Sequence, residues 1–299
     1  MLAQRTVKDI VVWKGIGLHS GRQVTMRILP LPPNSGIRFV RTDLPGAPEV
    51  PALADFVVNT RMATTLGKGP AVVSTVEHLM CAFFGLGIDN ARVELDAAEV
   101  PISDGSSMEF FRALQEIGTE FQAASRKVWK LQKRVELKMG EKWGIAEPSS
   151  LLDVSASVEF DHSAIGFQSF RYLHGQTSFE EFGSARTFGF LKEVEALKKM
   201  GLARGGSLDN AVVLDDSGVL NPGGLRYENE FARHKVLDAL GDFALAGHPI
   251  QARIQLHRSG HDLHRALLSE ILAASVLVEL EPRPMAEKAR LSRVRAAAI

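Results

Sequence analysis

The chain has 299 residues, with 35 Lys+Arg against 35 Asp+Glu, and 45% of its residues are apolar. A formal charge of zero argues against a general nucleic-acid binder, which carries a basic excess. The apolar share is ample for packed cores in about two domains. The single cysteine, Cys81, excludes an internal disulfide and fits a reducing cytosol; its place in the apolar run 79–84 predicts burial.

In chain order, Thr6 to Trp13, Val24 to Leu29 and Ile37 to Arg41 read as strands, by alternation or β-branched content. Residues 14–21, Lys-Gly-Ile-Gly-Leu-His-Ser-Gly, read as a glycine-punctuated connection. Ser74-Thr75-Val76-Glu77-His78 opens an apolar helix that runs to Gly85-Leu86-Gly87, and Ala91 to Leu95 is a strand. Residues 104–107 cap a helix over Met108 to Ile117. The polar stretch from Gly118 to Arg126 shows no periodicity, so the domain boundary is placed there: a first unit over residues 1–122 and a second over 127–280. The second unit restarts with strands at Val128 to Lys138, Trp143 to Ala146, Leu152 to Phe160 and Phe167 to Leu173. A helix over Leu191 to Met200, a strand over Asn210 to Leu214, a helix from Glu228 to Ala246, a strand over Ile250 to Leu256 and a helix over His261 to Ala274 follow. Residues 281–299 form a basic tail, helical or disordered. Strands and helices alternate without a regular βαβ rhythm, which predicts an α+β fold. Met1 to Asp9 lacks the apolar core of a signal peptide, and no window holds 18 consecutive apolar residues, so a cytoplasmic protein without stable membrane insertion is expected. No P-loop pattern is present.

Three segments carry candidate chemistry. On the helix from Glu228, His234, Asp238 and Asp242 fall within an arc of about 80° at 100° per residue. A His and an Asp four apart can reach one ion, and imidazole plus carboxylate suits Zn²⁺; the same spacing also describes an ordinary solvated face. That set is one ligand short. In the second segment, His78 is a candidate third ligand and Glu77 a candidate base, although Ser74-x-x-Glu77 also reads as a capping box. In the third, residues 258–261 (Arg-Ser-Gly-His) stand at a strand-to-helix junction, where loops on a rigid scaffold often carry chemistry; the nearby His257 and His264 read as surface residues.

Taken in order, nine segments resemble one known family: residues 15–21, 74–79, 87–90, 101–106, 185–190 (Ala-Arg-Thr-Phe-Gly-Phe), 205–211, 226–231, the pattern His234-Lys235-x-x-Asp238-x-x-Gly241-Asp242, and Ser259-Gly260-His261. They are similar to the UDP-3-O-acyl-N-acetylglucosamine deacetylases, the zinc enzymes of lipid A synthesis in Gram-negative bacteria. The resemblance spans about residues 4 to 275. It implies two similar α+β domains, each a sheet packed with helices, with the active site between them. It further implies one Zn²⁺ on His78, His234 and Asp238, with a fourth position left for water. Glu77 would serve as base, His261 as the cationic partner oriented by Asp242, and Thr187 as a donor to the oxyanion. Lys235, Lys142 and Arg258 would meet the carbonyl and diphosphate, and Glu159-Phe160 the uridine. Leu18, Phe188, Ser207 and Ala211 complete the implied substrate set, the last three in the segment that forms the family's acyl passage. The implied protein is a monomer with UDP-3-O-acyl-N-acetylglucosamine as substrate. Arg258 stands where other members carry lysine and Glu159 where they carry aspartate, and residues 61–65 lack the cysteine some members place there. Two rival readings are a metal-holding binding protein without catalysis and an amidohydrolase for a different acyl sugar.

Overall fold

The structure, a computed structural model, describes residues 2–280; the basic tail lies outside the described residues. Up to Ser125 the chain builds a five-stranded sheet in the order Val11–Ile16, Gln23–Pro30, Ala91–Leu95, Ile37–Arg41, Glu49–Pro51. A short three-stranded sheet (Val57–Asn59, Thr65–Lys68, Ala71–Val73) lies beside it. Helices α1 (Glu77–Leu86) and α2 (Met108–Ile117) pack together here.

Beyond Arg126 a seven-stranded sheet forms around Ile250–His257. That strand runs antiparallel to Lys142–Pro148 and parallel to both Asp153–Phe160 and Lys127–Leu131. Helix α3 (Leu191–Lys199) sits on a small sheet of Phe188–Phe190, Val212–Asp215 and Gly218–Val219. Helices α4 (Glu230–Phe243) and α5 (His261–Ala273) complete this half. Among the described residues, no strand ending by Ser125 shares a ladder with one starting after Arg126. None of the described helices is long and apolar enough to cross a membrane.

Three expected elements differ. The strand expected over Thr6 to Trp13 is two strands, Ala3–Val7 and Val11–Ile16. Between them the Asp9 carboxylate accepts the Ile10 amide at 2.7 Å, a local turn that takes the ladder's place. The strand expected over Val128 to Lys138 likewise splits into Lys127–Leu131 and Val135–Met139, where the Gln132 amide turns away to the Ala274 carbonyl. Residues 118–126, read as aperiodic, contain a strand, Thr119–Ser125, paired antiparallel with Ala3–Val7. This two-stranded ribbon buries no face of Thr119–Ser125, so there was no alternation to detect. The strand runs through residue 122, the expected end of the first unit.

Helices α1 and α4 are the feature that positions everything else. Leu79, Met80 and Phe83 of α1 and Val236, Leu237, Leu240 and Phe243 of α4 belong to one continuous core. α4 is also covered by the strands Asp153–Phe160 and Gly166–Leu173 and by α5, so it is buried nearly all round. The two helices touch because Gly241 has no side chain: a Cβ there would stand 2.0 Å from the Glu77 carbonyl oxygen, and the obstacle is backbone, which cannot rotate away. Gly241→Ala is therefore expected to push α4 off α1, with a loss of about 1–3 kcal/mol or more and a lower metal content in the purified protein. Urea unfolding and metal analysis would check both. Wild-type values for both would mean that the crossing tolerates a wider spacing.

Candidate metal and catalytic centre

Glu77 and His78 are the first two residues of α1, 3% and 4% exposed. The capping box that Ser74-x-x-Glu77 offers as the alternative reading of this helix start does not form. Ser74 Oγ lies 3.0 Å from Thr65 Oγ1, and Glu77 Oε2 instead accepts the Thr64 amide at 3.1 Å. Glu77 thus points away from its own helix into a cavity. Burial raises its pKa, against the pull of His261 and His78.

His78, His234 and Asp238 converge there, each nearly fully buried, with their ligating atoms all within 4.8 Å of one another. His234 Nε2 is 3.2 Å and His78 Nε2 3.6 Å from Asp238 Oδ1. Two ligands bound at about 2.0–2.1 Å and a tetrahedral angle lie about 3.3 Å apart, so these separations suit one small divalent ion. The local chemistry agrees. His234 Nδ1 donates to the Ala185 carbonyl at 3.0 Å, which leaves the Nε2 lone pair facing Asp238. Asp238 Oδ1 is buried with no hydrogen-bond partner, while Oδ2 accepts Lys235 Nζ at 3.0 Å. Two acceptors facing each other at 3.2 Å need a cation between them. A proton on His234 is disfavoured, since burial lowers its pKa to about 4. Burial opposes ionisation of Asp238 as well, but His234 and Lys235 outweigh it and hold the carboxyl well below its usual range. The donor set fits a metal.

One turn further along α4, Asp242 is a hub. Its Oδ1 accepts Thr64 Oγ1 at 2.6 Å; its Oδ2 accepts His261 Nδ1 at 2.7 Å and His264 Nδ1 at 2.8 Å. Asp242, His261 and His264 also lie close enough to hold an ion, but their facing atoms are already engaged by these bonds, so the first group is the better metal site. Burial works against the Asp242 charge; His261 and His264 overcome it and bring the pKa down to about 2. For His261 burial lowers the pKa, but Asp242 and Glu77 outweigh it and carry it up to about 10. The imidazole is therefore a cation near neutral pH. His261 Nε2 stands 3.7 Å from Glu77 Oε1, so base and cation face the same point.

A folded-state pKa above the ordinary 6.5 means that His261 contributes stability that is full below pH 6.5 and is lost as pH rises through about 10. In metal-free protein, the stability gap between wild type and His261→Gln is expected to shrink between pH 7 and 10. Urea midpoints across that range would show it, and a constant gap would contradict the ion-paired state of His261.

Glu77, His78, His234, Asp238 and His261 line a cavity of about 530 Å³ together with Leu18, His19, Thr75, Lys142, Thr187, Phe188 and Lys235. Of the residues proposed from the sequence, His78, Glu77, His234, Asp238, His261, Lys235, Thr187, Lys142, Phe188 and Leu18 thus meet at one place, and Asp242 stands behind His261. Lys142 Nζ is paired with Asp262 at 3.0 Å. Glu159, Phe160, Arg258, Ser207 and Ala211 do not line this cavity. Glu159 lies 3.8 Å from His257, and Phe160 packs edge-on to Phe188 with ring centroids 6.0 Å apart. Arg258 is paired with Glu141 at 2.7 Å. Ser207 is exposed in a turn closed by Asn210, and the Ala211 carbonyl accepts Asn221 Nδ2. A larger cavity, about 1030 Å³ between Phe84, Trp129 and Phe243, holds none of the metal-site side chains.

Several contributors were missed. His264, read as a surface residue, is fully buried, and His257 is partly buried with Nδ1 2.9 Å from Ser157 Oγ. His264 is three residues after His261 on α5, a spacing that puts both on one helix face and was available to read. Glu99 fixes the 17–20 loop by accepting the His19 and Ser20 amides, each at 2.8 Å. Arg186 and Glu230 form a buried two-pronged ion pair that anchors the segment supplying both the Ala185 carbonyl and Thr187. Cys81 is buried as expected, which pushes its thiol pKa up and makes it inert.

The family model described as UDP-3-O-acyl N-acetylglycosamine deacetylase (LpxC) matches residues 4–273, a stretch that contains every side chain of the cavity. The chain belongs to this family. Among the family's curated members, the UDP-3-O-acyl-N-acetylglucosamine deacetylase of Myxococcus xanthus (strain DK1622) is 46% identical over 280 residues, covering 93% of this chain and 89% of that protein. The protein of the same name from Acidithiobacillus ferrooxidans (strain ATCC 53993 / BNL-5-31) is 47% identical over 275 residues, 91% of this chain and 90% of the relative. The one from Geobacter sp. (strain M21) is 45% identical over 288 residues, 95% and 94% of the two chains.

Proposed function

We propose that this LpxC-family chain is a zinc-dependent amide hydrolase acting on UDP-3-O-acyl-N-acetylglucosamine. It removes the N-acetyl group as acetate and leaves the free amine, the committed step of lipid A synthesis. The observation that carries the reading is the buried His78–His234–Asp238 group, with its unpartnered carboxylate oxygen, next to a buried Glu77 and a cationic His261. The name shared by relatives of 45–47% identity supports the substrate.

Zinc on these three side chains would supply a Lewis acid for the acetamide carbonyl and make water acidic enough to attack near pH 7. Glu77, whose raised pKa makes it a better base than an exposed carboxylate, takes a proton from the attacking water as the new C–O bond forms. Thr187 offers a hydroxyl to the oxygen that gains negative charge. His261, held by Asp242, stabilises that charge and gives its Nε2 proton to the nitrogen as the C–N bond breaks. Lys235 neutralises the outer oxygen of Asp238, and Lys142, at the cavity and paired with Asp262 in the free protein, would turn its ammonium to the diphosphate. Leu18 and Phe188 give the acyl chain an apolar wall. Glu159, Phe160, Arg258, Ser207 and Ala211 belong to more distant parts of the bound substrate. We further propose two α+β domains, divided at Arg126, with the site at their interface, in a cytoplasmic monomer.

Acetate release from the substrate tests this, after chelator treatment and again after zinc is restored. Activity that disappears and returns is expected. No release by folded, zinc-loaded protein would favour a binding protein instead. Equal rates on a substrate without the 3-O-acyl chain would overturn the lipid part of the reading.

A further inference from the structure

His264 is fully buried, yet it touches neither the cavity nor the metal group. Its ring is clamped at both ends: Nδ1 lies 2.8 Å from Asp242 Oδ2, and Nε2 lies 2.9 Å from Ser259 Oγ. Asp242 Oδ2 is the same oxygen that receives His261 Nδ1 at 2.7 Å. An ionised carboxylate only accepts, so both imidazoles present an N–H to it. The two rings stand at 89° to each other, centroids 6.1 Å apart, and so approach one oxygen from two directions. Thr64 Oγ1 holds the other oxygen at 2.6 Å. The carboxylate therefore cannot rotate without breaking a buried bond, and each break strands a polar group. Ser259 closes the loop, because it lies two residues before His261, at the turn that starts α5.

We infer that His264 is a positioning residue for the reaction: by sharing Asp242 Oδ2 and holding Ser259, it fixes the carboxylate that aims His261 at the cavity. The inference rests on the proposed hydrolytic role of His261. Its effect is on turnover, since His264 has no access to bound substrate.

The test compares three variants of the zinc-loaded protein by steady-state kinetics and by the proton NMR signal of the His261 Nδ1–H. His264→Leu removes both bonds at similar bulk. It is expected to lower kcat about 10- to 100-fold with KM held within about twofold, and to move the His261 signal. His264→Asn places an amide N–H near the Nδ1 position, and is expected to retain kcat within about threefold with the signal in place. Equal losses in both variants, or an unmoved signal with unchanged kcat in His264→Leu, would overturn the inference. If His264→Leu does not fold, His264→Gln replaces it. Its longer amide reaches towards Ser259 and away from Asp242, so kcat should fall below that of His264→Asn, and parity between the two would overturn the proposal. Wild-type protein inactive on the substrate would count against the functional reading alone; the NMR signal would still decide whether His264 controls His261.

Discussion

Glu77→Ala is expected to keep its metal and lose about 10²-fold or more in kcat. The expectation follows from what Glu77 touches. It is not among the three converging side chains, its Oε2 is tied to the Thr64 amide, and its Oε1 faces His261 across 3.7 Å. Removing the carboxylate takes away the proton acceptor and also leaves a buried amide without a partner. Glu77→Gln separates the two effects: it can still accept from Thr64 but cannot take up a proton. Comparable kcat losses in both variants, with zinc content and thermal midpoint near wild type in Glu77→Gln, would identify the base. Unchanged kcat in Glu77→Gln would remove Glu77 from the chemistry.

His234→Ala is expected to weaken metal binding by more than the 10- to 100-fold typical of residues that only support a ligand. His234 does two things at once: Nε2 faces Asp238 Oδ1, and Nδ1 satisfies the Ala185 carbonyl. The variant should purify with little zinc, and its thermal midpoint should no longer rise when zinc is added. Asp242→Ala is the informative companion. It disturbs the neighbouring Asp242–His261–His264 group and should leave zinc content nearly intact. The reverse pattern, zinc kept in His234→Ala and lost in Asp242→Ala, would move the ion to that neighbouring group.

How far the sequence reveals this site depends on what each residue's partner is. His234, Asp238 and Asp242 are legible because their neighbours are one or two helical turns away, and a 3.6-residue period makes that visible. What the period cannot say is that this face is sealed by α1 and α5 rather than solvated; burial of a polar face comes from other parts of the chain. Glu77 and His78 are further removed still, since about 160 residues separate them from His234 and only the family's ordered motifs brought them together. The capping box at Ser74 failed because local chemistry was outbid by a tertiary partner, the Thr64 amide. Thr119–Ser125 was invisible because its ribbon leaves no buried face, whereas Ile250–His257 alternates cleanly and was found.

The contact of Gly241 with the Glu77 carbonyl has a consequence for how the protein is made. Synthesis proceeds from the N-terminus, and early segments fold before later ones emerge. α1 by itself carries only His78 of the three converging side chains. The other two, His234 and Asp238, sit together on α4, and they meet His78 only where Gly241 lets α4 seat on α1. The three-residue group is thus a product of the helix crossing and is absent from either helix alone.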